Sequence, residues 1–491
     1  MQALTTLDDV LARHAAQSPD KQAVRFEGRS FSYAQLQRRS TRAAARLWHE
    51  WGVRAGDRVA WLGLNHVDQI TLLFALARLG AVWVPLNFRL APPEWDAVLA
   101  DATPRCVVHD AHWADAAQAL AARHGLAAHP VDSLIATHAD GDAPALAHAQ
   151  TPALLVYTSG TTGRPKGALH TQANLLANMA MAQAVQGIDA TDRVLSVLPL
   201  FHVGGLCIQT LPALYAGATV LLHARFDAAA TLAGIAHERP TLTLQVPATM
   251  KALVEHPDWA GTDLSSLRAV WAGSSTLPRA LIDAFHTRSV PLCNVYGATE
   301  TGPFSIALPP AHARSHAGSC GWPAPGVEVR LCDEQAGVGE VLIRAPNVVR
   351  HYWPDRPARD ADGWFHTGDL ASRVADGSYT IVGRAKDMII SGGENIYPAE
   401  IENLLATHPA VADCAVLGLP DAKWGEMVVA VVVLKSGCEL SDDEAAAFLG
   451  AQLARYKLPR RVVRLDALPK TALGKVRKQV LAGQLAGQIT G

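Results

Sequence analysis

The sequence has no excess of either charge: 43 Lys and Arg face 45 Asp and Glu, a net charge of −2. That balance argues against a whole-chain role in coating nucleic acid or anionic membrane, which takes a broad field of one sign. No CxxC pair occurs, and the seven cysteines (Cys106, Cys207, Cys293, Cys320, Cys332, Cys414, Cys438) are scattered and odd in number. A disulfide framework does not fit; reduced, buried thiols in a cytoplasmic protein are expected. No secretory signal is expected, because Asp8 and Asp9 precede any apolar run. The longest apolar stretch, 69–86, is broken by Arg78 and Gly80, so it reads as a core helix running into a strand, and no integral membrane span is expected. Internal repeats, a GxxxxGK[ST] phosphate loop and HExxH are all missing. His109-x-x-His112 is an isolated pair read as solvent-facing polarity, not as metal ligands.

What is present points to a layered enzyme. At 491 residues the chain is too long for one hydrophobic core, so two or more domains are expected. The N-terminus reads as an amphipathic helix with Leu7, Val10, Leu11 and His14 on one stripe. Up to about residue 380, helical patterns alternate with short β-rich runs at 58–62, 81–85, 106–109, 154–157, 194–198, 219–222, 242–246 and 269–272. This alternation predicts an α/β fold with mainly parallel sheets covered on both faces. The Ala-rich stretch 113–150 reads as helix and loop, and 321–343 as a small β-rich subdomain. After Gly383 a compact α+β pattern begins, with strand runs at 415–417 and 428–434. The expected division is a large domain, 1–385, and a small α+β domain, 386–491.

The strongest local signal is Leu154-Leu-Val-Tyr-Thr158-Ser159-Gly160-Thr161-Thr162-Gly163-Arg164-Pro165-Lys166-Gly167. An apolar strand feeds a loop of small hydroxylated residues and glycines, with one lysine. Glycines let backbone N–H groups approach a phosphate, hydroxyls donate to it, and Lys supplies a point charge. Four more clusters follow downstream of Tyr296-Gly297-Ala-Thr299-Glu300. They are Gly363-Trp-Phe-His-Thr-Gly368-Asp369, Gly383-Arg384-Ala-Lys386-Asp387, Ser391-Gly392-Gly393-Glu394-Asn395 and Pro469-Lys470-Thr-Ala-Leu-Gly474-Lys475. In this order and spacing, over nearly the whole chain, the sequence resembles the AMP-forming acyl-CoA synthetases, the superfamily that also holds firefly luciferase and peptide-synthetase adenylation domains.

The resemblance implies that a carboxylic acid is activated with ATP, releasing pyrophosphate, and that the acyl group then passes to a thiol, coenzyme A. Thr158 to Gly163 and Lys166 would hold the phosphates. Tyr296 would lie against the adenine, with Asn294 and Gly297 beside it in the nucleotide site. Thr299 would bond the α-phosphate, and Glu300 would bind Mg²⁺, a hard cation that prefers oxygen ligands. Gly273 and Ser274, in Trp271-Ala-Gly-Ser-Ser275, resemble the adenine-side loop, although relatives more often carry Gly-Gly-Ala or Gly-Glu-Ala there. Asp369 corresponds to the carboxylate that grips the ribose hydroxyls, with Arg384 adding a contact. Lys475 would bridge the attacking carboxylate and the α-phosphate, where negative charge gathers in the transition state. It stands in a basic run of Arg455, Lys457, Arg460, Arg461, Arg464, Lys470, Arg477 and Lys478, with Asp466 the only acid. Lys386 occupies the family's hinge, and Ser391, Gly392 and Gly393 its flexible loop; the small domain would swing between the two steps.

Pro199-Leu-Phe-His202-Val-Gly-Gly resembles the segment lining the acyl pocket. Many amino-acid-activating relatives have Asp one residue after that Phe. Here it is His202, which favours an uncharged acyl or aryl acid and makes His202 a candidate catalytic residue; fatty, benzoate-like and cinnamate-like acids remain open. A separate carrier protein is the alternative acceptor, no carrier-like segment following Lys475, and a non-catalytic nucleotide sensor is the alternative of another class. Relatives occur as monomers and as dimers, so a homodimer stays open.

Overall fold

A computed structural model describes residues 4–135, 141–159, 165–273, 277–335, 337–391, 394–421, 424–471 and 474–489. The alternating texture of the large domain folds into two extended mixed sheets. One has eight strands in the order Arg356–Pro357, His351–Tyr352, Pro165–Thr171, Pro152–Ser159, Val82–Pro85, Arg58–Leu62, Cys106–His109 and Ala127–Pro130. The other has nine, and at its centre Leu292–Tyr296, Ala269–Ala272, Leu242–Gln245, Arg193–Ser196 and Thr219–Leu222 run parallel. Parallel strands are buried on both faces, which is why Ala269–Ala272 is wholly apolar and Thr219–Leu222 nearly so.

Helix Val67–Leu79 connects Arg58–Leu62 to Val82–Pro85 within the eight-stranded sheet, and 12 of its 13 residues are buried. An apolar sequence without a polar stripe suits a helix covered all round, and Gly80 ends it in the left-handed conformation at φ +71°. The N-terminal helix Leu7–Gln17 buries Leu7, Val10 and Leu11, and its His14 ring packs on Tyr33 at 4.9 Å.

A third, antiparallel sheet follows: Glu328–Gln335, Val338–Arg344, Phe365–Arg373 and Tyr379–Arg384. The fourth sheet is built from Glu394–Ile396, Ile389–Ser391, Gly425–Leu434 and Val411–Asp421, with Arg461–Arg464 alongside Gly425–Leu434. It is apolar on both faces. Ile389, Ile401, Leu405, Val416, Val428 and Val432 form a core on one side. Ala415, Leu417, Val429, Val431, Leu481 and Leu485 form another on the other side, under the last helix, Lys478–Ile489.

Two expectations need correction. Stretch 113–150 contains a strand, Ala127–Pro130, which pairs in parallel with Cys106–His109. It holds no β-branched residue and sits at a sheet edge, so its pairing is imposed by tertiary structure. His109 is not solvent-facing but 2% exposed within its strand, with Nδ1 2.8 Å from the Asp110 carbonyl oxygen; His112 is exposed. All seven cysteines are free, and four of them are buried. Among the described residues no helix is long and apolar enough to cross a membrane.

Candidate active site

The nucleotide wall forms where two neighbouring parallel strands, Ala269–Ala272 and Leu292–Tyr296, reach their C-terminal ends, the place where α/β sheets gather ligands. Gly273 lets them close: a Cβ there would stand 2.8 Å from the Val295 carbonyl oxygen. At Gly297 a Cβ would lie 1.9 Å from the Pro303 carbonyl oxygen, so only glycine fits. Asn294, 7% exposed, donates its amide to Cys320 Sγ at 3.2 Å. Ser274 lies outside the described residues.

Tyr296 O–H donates to Asp369 Oδ2 at 2.7 Å, and Arg384 Nε donates to Asp369 Oδ1 at 2.7 Å. The Asp369–Arg384 pair is also a cross-strand register pair of the third sheet, which places both heads at one spot. Burial pushes the Asp369 carboxyl above its ordinary pKa, opposed by Arg384, Tyr296 and Lys475. Burial and the Asp369 charge push the Tyr296 phenol far up, so it stays a donor.

Thr158, Ser159 and Lys166, expected in a loop, lie in strands. Pro152–Ser159 and Pro165–Thr171 form an antiparallel hairpin in which Thr158 pairs with Lys166 and Ser159 with Pro165. Gly160, Thr161, Thr162 and Gly163 lie outside the described residues. The Lys166 ammonium sits 5.7 Å from the centroid of the Tyr352 ring, whose O–H donates to Glu300 Oε1 at 2.8 Å. Thr299 opens the 3₁₀ turn Thr299–Thr301. Beneath it His170, fully buried, faces the Thr299 backbone with neither ring nitrogen in hydrogen-bond geometry.

Lys475 rides on a tight turn: Thr471 N donates to the Lys475 carbonyl at 2.7 Å, and Lys475 N to Thr471 Oγ1 at 3.2 Å. Gly474, at φ +82°, supplies the left-handed residue that this turn requires. The Lys475 side chain is exposed, yet protein surrounds it closely enough that desolvation, then the like charge of Arg384, lowers its pKa; Asp369 and Asp387 act the other way. Much of the basic run is neutralised by distant acids: Lys457 by Glu400, Lys470 by Asp413, Lys478 by Glu402 and Arg464 by Asp442. Lys386 is exposed in the 3₁₀ turn Ala385–Asp387, and Ser391, 6% exposed, ends the strand beyond it. Gly392 and Gly393 lie outside the described residues.

On the acyl side, His202 caps the turn Val203–Gly205, its Nδ1 accepting from Gly204 N at 3.0 Å. That bond makes Nε2 the protonated nitrogen of a neutral ring. Burial pushes the His202 pKa down to about 4, so it carries no charge at neutral pH. A π-helical turn, Leu206–Thr210, continues from it, a geometry that concentrates at functional sites.

A family model described as AMP-binding enzyme matches residues 11–353, and one described as AMP-binding enzyme C-terminal domain matches 400–475. The chain belongs to the AMP-binding enzyme family. The indoleacetate–CoA ligase of Aromatoleum aromaticum is 46% identical, over 96% of this chain and 96% of that protein. A feruloyl-CoA synthase of an Amycolatopsis species is 43% identical, over 95% of this chain and 96% of that protein. ATP-bound MatB from Rhodopseudomonas palustris superposes with a TM-score of 0.89 at 31% identity, covering 97% of this chain and 99% of that one. Its apo form, with the same identity and coverage, gives 0.80. This AMP-binding enzyme is an acid–thiol ligase, which activates a carboxylic acid as an acyl-adenylate and transfers the acyl group to coenzyme A.

The motifs of this AMP-binding enzyme did not reveal Tyr352, which ties Lys166 to Glu300 from a two-residue strand between motifs. Tyr352→Phe is expected to lower kcat/KM by roughly three- to tenfold, the weight of one hydrogen bond to a charged group. The measurement is the rate of AMP formation at varied ATP. His170 was missed for the same reason, and it affects acid stability. Burial holds its pKa at about 4, against about 6.5 for a free imidazole. Below pH 6.5 the unfolded chain takes up a proton that the folded chain refuses. Its stabilising effect is therefore complete above pH 6.5 and is lost towards pH 4, at about 1.4 kcal/mol per pH unit. Urea midpoints should fall from pH 7 to pH 5, less steeply in His170→Leu.

Proposed function

We propose that this ligase acts on an aromatic carboxylic acid. The observation that carries this reading is the acyl segment itself: a neutral His202 set among buried Phe201, Val203 and Leu206, with no ammonium-binding carboxylate one residue after Phe201. Such a wall suits an uncharged ring and offers nothing to an α-amino group. The ring-bearing acids of the indoleacetate and ferulate ligases support the same class.

In this reading Asp369 and Arg384 hold the ribose, Tyr296 covers the adenine, and the Thr158–Lys166 hairpin with Thr299 cradles the phosphates. The acid's oxygen attacks the α-phosphorus and pyrophosphate leaves. Lys475 stabilises the charge gathering on both oxygens of that transition state. The coenzyme A thiol then attacks the acyl carbon and AMP leaves. Residues 386–491 act as the mobile domain that brings Lys475 in for the first step and withdraws it for the second.

Glu300 fits Mg²⁺: it is a carboxylate with one oxygen committed to Tyr352, beside the phosphate hairpin. Among the described residues no cluster of three or more metal-ligating side chains exists, which suits an ion held mainly by nucleotide phosphates and water. Bound there, Mg²⁺ would neutralise phosphate charge. Free thiols and balanced charge support a cytoplasmic setting.

The test is to incubate the protein with ATP, Mg²⁺, coenzyme A and a panel of indoleacetate, ferulate, benzoate, octanoate, palmitate and malonate, following AMP and thioester by mass spectrometry. An aryl-CoA formed in preference supports the proposal. Preference for octanoate or palmitate refutes the aromatic class, and AMP without thioester moves the acceptor to a carrier protein.

A further inference from the structure

Helix Pro247–Val254 follows the central strand Leu242–Gln245, and no motif falls on it. Two of its residues, one turn apart and so on one face, touch the small domain. Lys251 Nζ donates to the Ala412 carbonyl oxygen at 2.7 Å. The Ala248 methyl lies 3.4 Å from where a Cβ on Gly474 would stand, directly before Lys475.

The acceptor is well placed. Strand Val411–Asp421 pairs with Gly425–Leu434, but the register shifts between Val411 and Asp413. Such a bulge leaves the extra residue outside the ladder, here Ala412, whose carbonyl can serve another donor. The next residue, Asp413, is ion-paired to Lys470 at 2.5 Å, and Lys470 bridges Val476 across the turn that carries Lys475. A short path of direct contacts therefore runs from Lys251 through the bulge and Lys470 to the turn of Lys475. Lys251 also has a second partner at the end of its own helix, the C-cap residue Glu255, at 3.8 Å. When the small domain swings away, the ammonium has a carboxylate to turn to, so release costs little.

We propose that Lys251 is a positioning residue that clamps the small domain, through the bulge at Ala412, in the arrangement that presents Lys475 for adenylation. The inference rests on the two-step reading above. The clamp acts on the first half-reaction alone, because the second requires the small domain to leave.

Lys251→Met keeps the aliphatic stem and removes the ammonium. Adenylation, followed as pyrophosphate release, should fall roughly three- to tenfold in kcat, the range for one partly exposed hydrogen bond from a charged group. KM for ATP should change little. Thioesterification of supplied acyl-adenylate should be unchanged or faster, and Lys251→Arg should restore adenylation. Equal loss in both half-reactions, or no loss in either, overturns the proposal. Domain position is also read without chemistry, from spin labels on His237→Cys in the large domain and on exposed Cys438 in the small one. Lys251→Met should broaden their distance distribution, and an unchanged distribution also overturns the clamp. A broadened distribution in a protein that makes AMP from no acid would keep the clamp and discard the functional reading.

Discussion

Lys475→Ala should slow acyl-adenylate formation by about 10²–10³-fold, the usual loss when a fixed electrostatic donor is removed from a developing oxyanion. Two features set the size of the effect. The backbone bonds to Thr471 and the left-handed Gly474 aim the ammonium. Four cations of the surrounding basic run, Lys457, Arg464, Lys470 and Lys478, are already bound to acids, which limits substitution by a neighbour. Transfer from supplied acyl-adenylate to coenzyme A should survive, because the proposed mechanism gives Lys475 no part in that step. Stopped-flow pyrophosphate release, set beside thioester formation from the adenylate, separates the two. Loss of both would show that the residue supports the fold or both reactions. Lys475→Arg keeps the charge in a wider, planar group and should recover only part of the rate.

Asp369→Ala should raise the KM for ATP by about 10²-fold and lower stability by about 2–3 kcal/mol, the range for losing a charged hydrogen-bonding partner in a buried place. Asp369 is 7% exposed and accepts from both Tyr296 and Arg384. Its removal strands a phenol and a guanidinium that neighbour no second carboxylate within bonding distance among the described residues. Asp369→Asn separates the two contributions. It keeps an acceptor for Tyr296 but not the charge for Arg384, so stability should recover more than ATP binding does. Nucleotide affinity by calorimetry and urea midpoints on the same variants measure each part. Recovery of neither would mean that the residue acts through charge alone.

The fold was legible wherever local chemistry and tertiary placement agree. The strands Arg58–Leu62, Cys106–His109, Thr219–Leu222 and Ala269–Ala272 lie where the apolar runs put them, because a strand buried on both faces leaves a mainly hydrophobic trace. Ala127–Pro130 left none, its pairing coming from a neighbour and not from its own residues. The motifs located the nucleotide candidates, and Tyr296, Asp369, Arg384 and Lys475 come together from positions far apart in the chain. Tyr352, His170 and Lys251 could not be found in this way. Each matters only through what it touches, across separations such as 161 residues for Lys251 and Ala412, and no local pattern records such contacts. The pairing of the basic run could not be read from the sequence, because Glu400, Glu402 and Asp413, which neutralise part of it, stand 50 or more residues upstream of their partners.

The ring of Tyr352 has a bearing on how this protein can diverge. It rests against Lys166 on one side and holds Glu300 on the other, so the three positions behave as one unit under substitution. A change at any one of them alters the setting in which the other two are selected. Descendants should therefore change these three residues together, whereas the segment around His202, which shares no such contact with them among the described residues, is free to drift on its own.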